Sequence, residues 1–427
     1  MPASLWRAGD RQRCQRLLDK RRSSRVDFYR ASRARDSIDS NMSKTLIFVS
    51  SHQRHPKVAD RMIAALAAHR KIELFSFERG AVENRVYSDP SVSHTSLGPI
   101  KDGVAVSRIF SLVHALWVLF RAKRRIKGSD TVVIVNTLEL LLISWLCGLT
   151  RLPTIYDVAD IHRLQLSKSI AGRCLRWLER RALKQVSLLV VSSPWFYWEY
   201  FAKWLGVPTP VILIENRVRF DLLQPDMRPT LSGRIAWNGL LRCQTSAIVL
   251  LKCLTSSPQS LYLSLHGTLD RLGALAPKLL DRPNCLYTGP YDAEALGGLL
   301  SASSFVWAVD FAEGENSKWL LPNRLYEAIA AGLPLIAVDG TATAEVVRRY
   351  NIGIVLPECS VQAVMHALDS CSPEIYASWV ANVHAQQRGA LRRNEWTLIF
   401  DDASRWGELR HLPGEVNAGV VLPLDAV

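Results

Sequence analysis

From residue 42 onward, short unbroken apolar runs alternate with longer segments of helical period. Runs at 45–50, 72–77, 131–135, 154–157, 188–192 and 211–214 are rich in Val, Ile, Leu and Phe and are too short for helices. Between them, stretches near 57–69, 109–126, 138–148, 169–185 and 195–205 set apolar residues three and four apart. Apolar strands without alternation are buried on both faces, as in a parallel sheet covered by helices. The rhythm stops at 217–233, which holds Pro225, Pro229, Ser232 and Gly233. It restarts with strands near 235–237, 261–265, 285–288, 304–308, 334–337 and 353–355. Helices near 245–254, 270–280, 292–300, 323–331, 343–350 and 361–371 fill the spaces.

The pattern predicts an α/β protein of two Rossmann-like, doubly wound parallel-sheet domains facing each other across a cleft. The expected divisions are a disordered basic extension over 1–41, a first domain over 42–216, a hinge at 217–233 and a second domain over 234–372. C-terminal helices over 373–412, able to pack back on the first domain, and a tail over 413–427 follow. Ligands of such sheets bind outside the carboxyl ends of the strands, so the cleft is the expected site.

Composition narrows the class. At 427 residues, 48% hydrophobic and 22% charged, the chain excludes wholesale disorder and a coiled-coil rod. Eight Cys without a C-x-x-C pair argue against a zinc ribbon and for a reducing cytosol. The Arg-rich residues 1–41 contain no signal-peptide core. The apolar stretch 132–149 carries Asn136 and Glu139 and reads as a strand followed by a helix, so no transmembrane helix is expected. The net charge of +14 is uneven. Residues 42–230 carry 27 Lys and Arg against 15 Asp and Glu, whereas residues 231–427 carry 15 against 19. The first domain therefore favours an anionic partner and the second does not.

Residues 313–338, EGENSKWLLPNRLYEAIAAGLPLIAV, concentrate the candidate chemistry. Pro322 presets a helix start, Asn323 can cap it, and Gly332 ends it before a buried strand. A helix N-terminus after a polar loop suits a phosphate, with Lys318 and Arg324 adding positive charge. Glu327, one turn in, is placed to accept hydrogen bonds from ribose hydroxyls. Any capped helix carrying a Glu shares these features.

PNRLYEAIAAGLPLIAV (residues 322–338) resembles the nucleotide-sugar-binding helix of GT-B glycosyltransferases, above all the retaining family 4 that builds bacterial polysaccharides. PVILIENRVRFDLLQP (210–225) is similar to that family's interdomain segment, with Asn216 matching and Arg217 in place of a Gly. IAWNGLLRCQTS (235–246) is similar to the strand, Gly turn and basic residue that open its second domain. NCLYTGPYDAEALGGLLSASSFVWAVD (284–310) and the acidic Glu345 follow in the matching order. The resemblance implies a GT-B fold and transfer of a sugar from a nucleotide donor with retained configuration. It implies that Glu327 binds the donor ribose, that Arg242, Lys318 and the amides around Leu321–Asn323 hold the diphosphate, and that Asn316 faces the sugar. Four further positions depart from the family pattern. Trp319 stands eight before Glu327 where a second Glu is usual, Leu240 and Thr245 replace an Arg and a Lys, and Ala159 replaces a His. The donor-binding architecture is expected intact, and these departures mark a divergent branch or a weakened enzyme.

Within YDVADIH (156–162), Asp157, Asp160 and His162 follow a buried strand at the cleft. They are candidates for positioning the acceptor hydroxyl or contacting the donor sugar, while Asp157 or Asp160 serves equally as a helix cap and His162 as a solvated loop residue. His266, after another strand, is a candidate neighbour of the nucleotide base or a buried histidine. No Asp-x-Asp triplet occurs, so the leaving diphosphate is expected to rely on cationic side chains and a helix dipole, without metal or other cofactor.

On the first domain, residues 110–127 place Leu112, Val113, Leu116, Trp117, Leu119 and Phe120 ahead of the cluster RAKRRIK. RCLRWLERRALK (173–184) interleaves apolar and basic residues, and WFYWEYFAKW (195–204) is dense in aromatics. Basic amphipathic helices with Trp suit an anionic membrane surface, where each Lys or Arg adds ~1 kcal/mol. The same apolar faces also suit a cover for the sheet. The resulting expectation is a peripheral enzyme at the inner face of the cytoplasmic membrane, acting on a polyprenyl-diphosphate-linked or other glycan acceptor. The alternatives are a same-fold nucleotide-sugar epimerase, a non-catalytic donor-binding subunit and, least supported, a nucleic-acid binder, for which no motif is present.

Overall fold

The computed structural model describes residues 45–50, 62–66, 70–78, 90–99, 105–126, 131–158, 160–206, 209–219, 223–224, 226–257, 259–269, 271–391 and 395–401. The expected extension over 1–41, the tail after Leu412 and Ala159 lie outside them.

The unbroken apolar runs become strands. β1 (Thr45–Ser50), β4 (Thr131–Val135), β5 (Thr154–Val158), β6 (Leu188–Val191) and β7 (Val211–Leu213) join β2 (Lys71–Glu78) and β3 (Val92–Pro99) in one sheet. Its order is β3-β2-β1-β4-β5-β6-β7, with every pairing parallel. β3 escaped the sequence pattern for a physical reason. It reads VSHTSLGP, buries only Leu97, and lies at the edge, where burial on both faces does not apply. A 2.9 Å hydrogen bond between the Ser76 hydroxyl and His94 Nε2 is one of its ties to β2.

A second parallel sheet has the order β10-β9-β8-β11-β12-β13. It comprises β8 (Arg234–Leu240), β9 (Tyr262–Thr268), β10 (Cys285–Tyr287), β11 (Phe305–Trp307), β12 (Leu335–Val338) and β13 (Gly353–Leu356). The strand order reverses beside β1 in the first sheet and beside β8 in the second, and crevices open at such switch points.

Helices cover both faces of each sheet. On the first, α1 (Ala105–Arg125), α2 (Leu138–Leu146) and α3 (Ile170–Leu183) share one core with a π-helix at Phe196–Leu205. The stretch 132–149 resolves into β4 and α2, as its composition implied. On the second sheet, α4 (Gln244–Ser256) lies on one side and α5 (Asn323–Ala330) with α6 (Ala342–Tyr350) on the other. After α7 (Pro373–Gln386) the chain returns to the first sheet, where Trp396, Ile399 and Phe400 of α8 (Glu395–Asp401) pack with Leu46, Phe48 and Ile134. Among the described residues, no helix is long and apolar enough to cross a membrane.

Candidate active site

The site grows from the end of β8. Asn238 and Gly239 lie beside His266 and Gly267 of β9 in register. Gly267 sits at φ +131°, and a Cβ there would meet the Gly239 carbonyl oxygen at 1.8 Å, so the approach of the two strand ends requires glycine. Opposite them, α5 begins at Pro322, which takes the N-cap position without a side-chain cap; Asn323 is the exposed first helical residue, not the cap.

One turn into α5, Glu327 accepts a 2.7 Å hydrogen bond from Asn238 Nδ2. Burial raises its pKa from 4.5 to about 7, while Arg324 and Asn238 pull it back down. Burial also lowers the Arg324 pKa and pushes Tyr291, near Glu327, up to about 12. Burial takes His266 down to about 4, so its imidazole is neutral at physiological pH; Nδ1 pairs with the Thr288 hydroxyl at 2.8 Å. Asn238 Oδ1, His266 Nε2 and Arg324 Nη1 are buried and find no hydrogen-bond partner among the described residues. Buried polar atoms are ordinarily paired, and three unpaired ones in one region make this a candidate place for a polar ligand.

Arg242 follows β8 and is held by two carboxylates, Asp310 at 3.2 Å and Glu313 at 3.1 Å. Lys318 pairs with Glu315 of its own short helix at 2.7 Å, with both side chains about half exposed. Arg242, Arg324, Glu327 and His266 therefore converge around the ends of β8 and β9, whereas Lys318 is engaged along its own helix. Leu321 is buried, and its carbonyl accepts from Asn216 Nδ2 at 2.9 Å, tying the loop before α5 to the first domain.

The cleft is closed by direct contacts. Asn316 is 2% exposed; its Oδ1 accepts from the Ile161 amide at 2.9 Å and its Nδ2 donates to Asp160 Oδ1 at 3.3 Å. Both polar ends of Asn316 are thus engaged with the first domain. Trp319 packs into the first domain's core, and its carbonyl accepts from the Ser193 hydroxyl at 2.5 Å. An apolar anchor at 319 explains why no carboxylate stands there. Asp157 is buried inside β5. The helix that follows, Arg163–Leu166, is capped by His162 rather than by Asp157 or Asp160: His162 Nδ1 accepts from the Leu164 amide. Gln165 closes the capping box, and its Nε2 donates to buried Glu179 and Tyr200. Sequence reasoning passed over Asn238, Tyr291, Asp310, Glu313 and Arg163. The available signal was the place of Asn238 before a glycine at a strand end.

Residues 256–397 match the family model described as Glucosyltransferase 3-like, C-terminal domain. The chain is 31% identical over 373 residues to the Succinoglycan biosynthesis protein ExoL of Rhizobium meliloti (strain 1021), covering 83% of this chain and 90% of the relative. Sucrose-phosphate synthase from Thermosynechococcus elongatus shares the fold at a TM-score of 0.66 and 14% identity, covering 85% of this chain and 98% of that one. HepE from Anabaena, solved with UDP and glucose, shares it at 0.61 and 13%, covering 86% and 100%. These structures establish the architecture expected from the sequence, two Rossmann-like domains in the GT-B arrangement.

Proposed function

The chain belongs to the family of the succinoglycan biosynthesis protein ExoL and is a glycosyltransferase of exopolysaccharide assembly; on that premise we propose that it binds a nucleoside-diphosphate sugar in its second domain and passes the sugar to a lipid-linked glycan. One observation carries the donor reading: Glu327, Asn238, His266 and Arg324 converge at the ends of β8 and β9, three of them presenting buried polar atoms without a described partner. The Glu327 carboxylate is suited to a ribose diol and the guanidinium groups to a diphosphate. That HepE is solved with UDP and glucose agrees with a nucleoside-diphosphate donor.

In this reading the bond between the sugar C1 and the β-phosphate oxygen breaks, and its electrons stay on the phosphate. Arg242, Arg324 and the N-terminus of α5 stabilise that charge without a metal. The acceptor hydroxyl oxygen bonds to C1, and its proton passes to the departing diphosphate, which has gained the electron pair. Asp160, exposed at the cleft beside Asn316, is the side chain placed to orient the acceptor.

A membrane-presented acceptor is supported by the outer face of the first domain. Phe110, Val113 and Trp117 of α1 are 72%, 61% and 50% exposed, and Ile170 and Trp177 of α3 are 79% and 54% exposed. Arg121 lies over the Trp117 ring at 4.0 Å and Arg181 over Trp177 at 4.8 Å. α1 carries no acidic residue, and the one in α3, Glu179, is buried. Such a face fits anionic headgroups, with the enzyme peripheral at the inner face of the cytoplasmic membrane.

The donor site is tested with a panel of UDP-, GDP-, ADP- and dTDP-sugars followed by thermal shift, since ligand binding to the native state raises stability. Glu327→Ala is expected to weaken the bound donor at least roughly tenfold, as for loss of a charged hydrogen bond, with the fold intact by circular dichroism. Unchanged donor affinity would refute the assignment.

A further inference from the structure

Three arginines from separate loops converge on one carboxylate beside the donor site. Arg163, in the first domain, reaches Glu313 at 3.2 Å; Arg242, after β8, reaches it at 3.1 Å; Arg271, after β9, lies at 3.7 Å. Asp310 takes a second contact from Arg242. Three guanidinium groups thus face two carboxylates, leaving one positive charge uncompensated within the cluster. The three arginines and Glu313 line an open cavity of about 370 Å³ together with Gln244 and Thr245 at the first turn of α4. Arg163 and Arg271 are 64% and 61% exposed, so replacing either is expected to leave the fold intact.

Like charges drawn together cost free energy unless an anion offsets them. A guanidinium offers five N–H donors in a fork that matches oxyanions, and among the described residues Arg163 and Arg271 each contact the cluster through a single ion pair. Glu313 satisfies part of this demand. Arg163 alone comes from the first domain, so an anion held here touches both sides of the cleft.

We propose that Arg163, Arg242 and Arg271 form a diphosphate-binding pocket spanning the cleft, in which Glu313 occupies the place of the ligand's oxyanion and yields when the donor diphosphate enters. This rests on the donor reading above and extends it to two residues outside the second domain's strand-end cluster. As the C1–O bond breaks, the diphosphate gains a full negative charge, and a pocket with surplus guanidinium stabilises that product end more than the intact donor. Arg163 thereby makes the closed cleft part of the diphosphate site.

The test uses full-length protein and calorimetric titration. Wild type is titrated with UDP, GDP, ADP and dTDP, and the tightest is carried forward with its own nucleoside and with geranyl diphosphate. Arg163→Gln and Arg271→Gln are each expected to weaken the nucleoside diphosphate roughly tenfold, the scale of a charged hydrogen bond, and to leave nucleoside affinity unchanged. Glu313→Gln is expected to tighten the diphosphate. Wild-type diphosphate affinity in both arginine variants would overturn the pocket, as would a loss confined to geranyl diphosphate, which would make it an acceptor site. A wild type that binds none of the four diphosphates defeats the donor reading itself, a result distinct from failure of the variants.

Discussion

Glu327 shows how far single residues can be read from a sequence. Its place one turn into a helix after a polar loop was visible; its environment was not, because Asn238 lies 89 positions away and meets it only when β8 and α5 converge. Burial makes that environment titrate. With a folded pKa of about 7 above the ordinary 4.5, Glu327 contributes stability that is full below about pH 4.5 and lost as pH rises through 7. Glu179, also raised to about 7 by burial, acts in the same direction. The unliganded protein is therefore expected to gain stability as pH falls from 8 towards 6, checked by denaturant titration at each pH. A ribose donating hydroxyls to Glu327 favours its carboxylate, so donor binding at pH 7 is expected to release up to about half a proton. Calorimetry in buffers of different ionisation enthalpy measures this, and proton uptake would contradict it. Gly267 is the other residue whose role emerges only in three dimensions. Gly267→Ala forces a Cβ against the Gly239 backbone, and is expected to lower stability by about 2 kcal/mol or more and to blunt donor binding, read by chemical denaturation and titration.

Elements were legible where burial was complete. The runs that became β1, β4, β5 and β6 are buried almost throughout, and an apolar run of that length has one low-energy solution beside its neighbours. β3 was hidden because an edge strand needs backbone pairing more than apolar side chains. α1 was visible as a helix, but which of its faces turns inward was not. The structure buries Ser111, Ala115, Leu119 and Ala122, mostly small residues that bring the helix close to the sheet, and leaves Val113, Trp117 and Phe120 outside. Apolar period alone does not separate two apolar faces of one helix. If the outer stripe meets lipid, changing Trp117→Glu and Phe120→Glu together is expected to leave stability within about 0.5 kcal/mol and to abolish sedimentation with phosphatidylglycerol vesicles. Undiminished sedimentation would remove the membrane reading.

At the scale of the molecule, distant segments lock the two sheets together. Arg217 stands where the family resemblance has a glycine, and its guanidinium is buried in an ion pair with Glu215, whose other oxygen accepts from the Tyr326 hydroxyl of α5 at 2.8 Å. Phe400, near the end of the described chain, is fully buried against Phe48 of the first strand, with ring centroids 6.3 Å apart. Phe400→Ala is expected to cost about 3–5 kcal/mol, measured by denaturant unfolding; a loss below about 1 kcal/mol would show that α8 does not anchor the first sheet. The amino-acid sequence by itself determined the two parallel sheets, the helix that carries Glu327 and the uneven charge, because these follow from local period and composition. Only the tertiary structure decided that Asn238 and Arg324 surround that carboxylate, that Trp319 anchors the cleft where a second acid was expected, and that three arginines share Glu313. Those pairings depend on strand order and domain closure, which bring together residues that no local pattern connects.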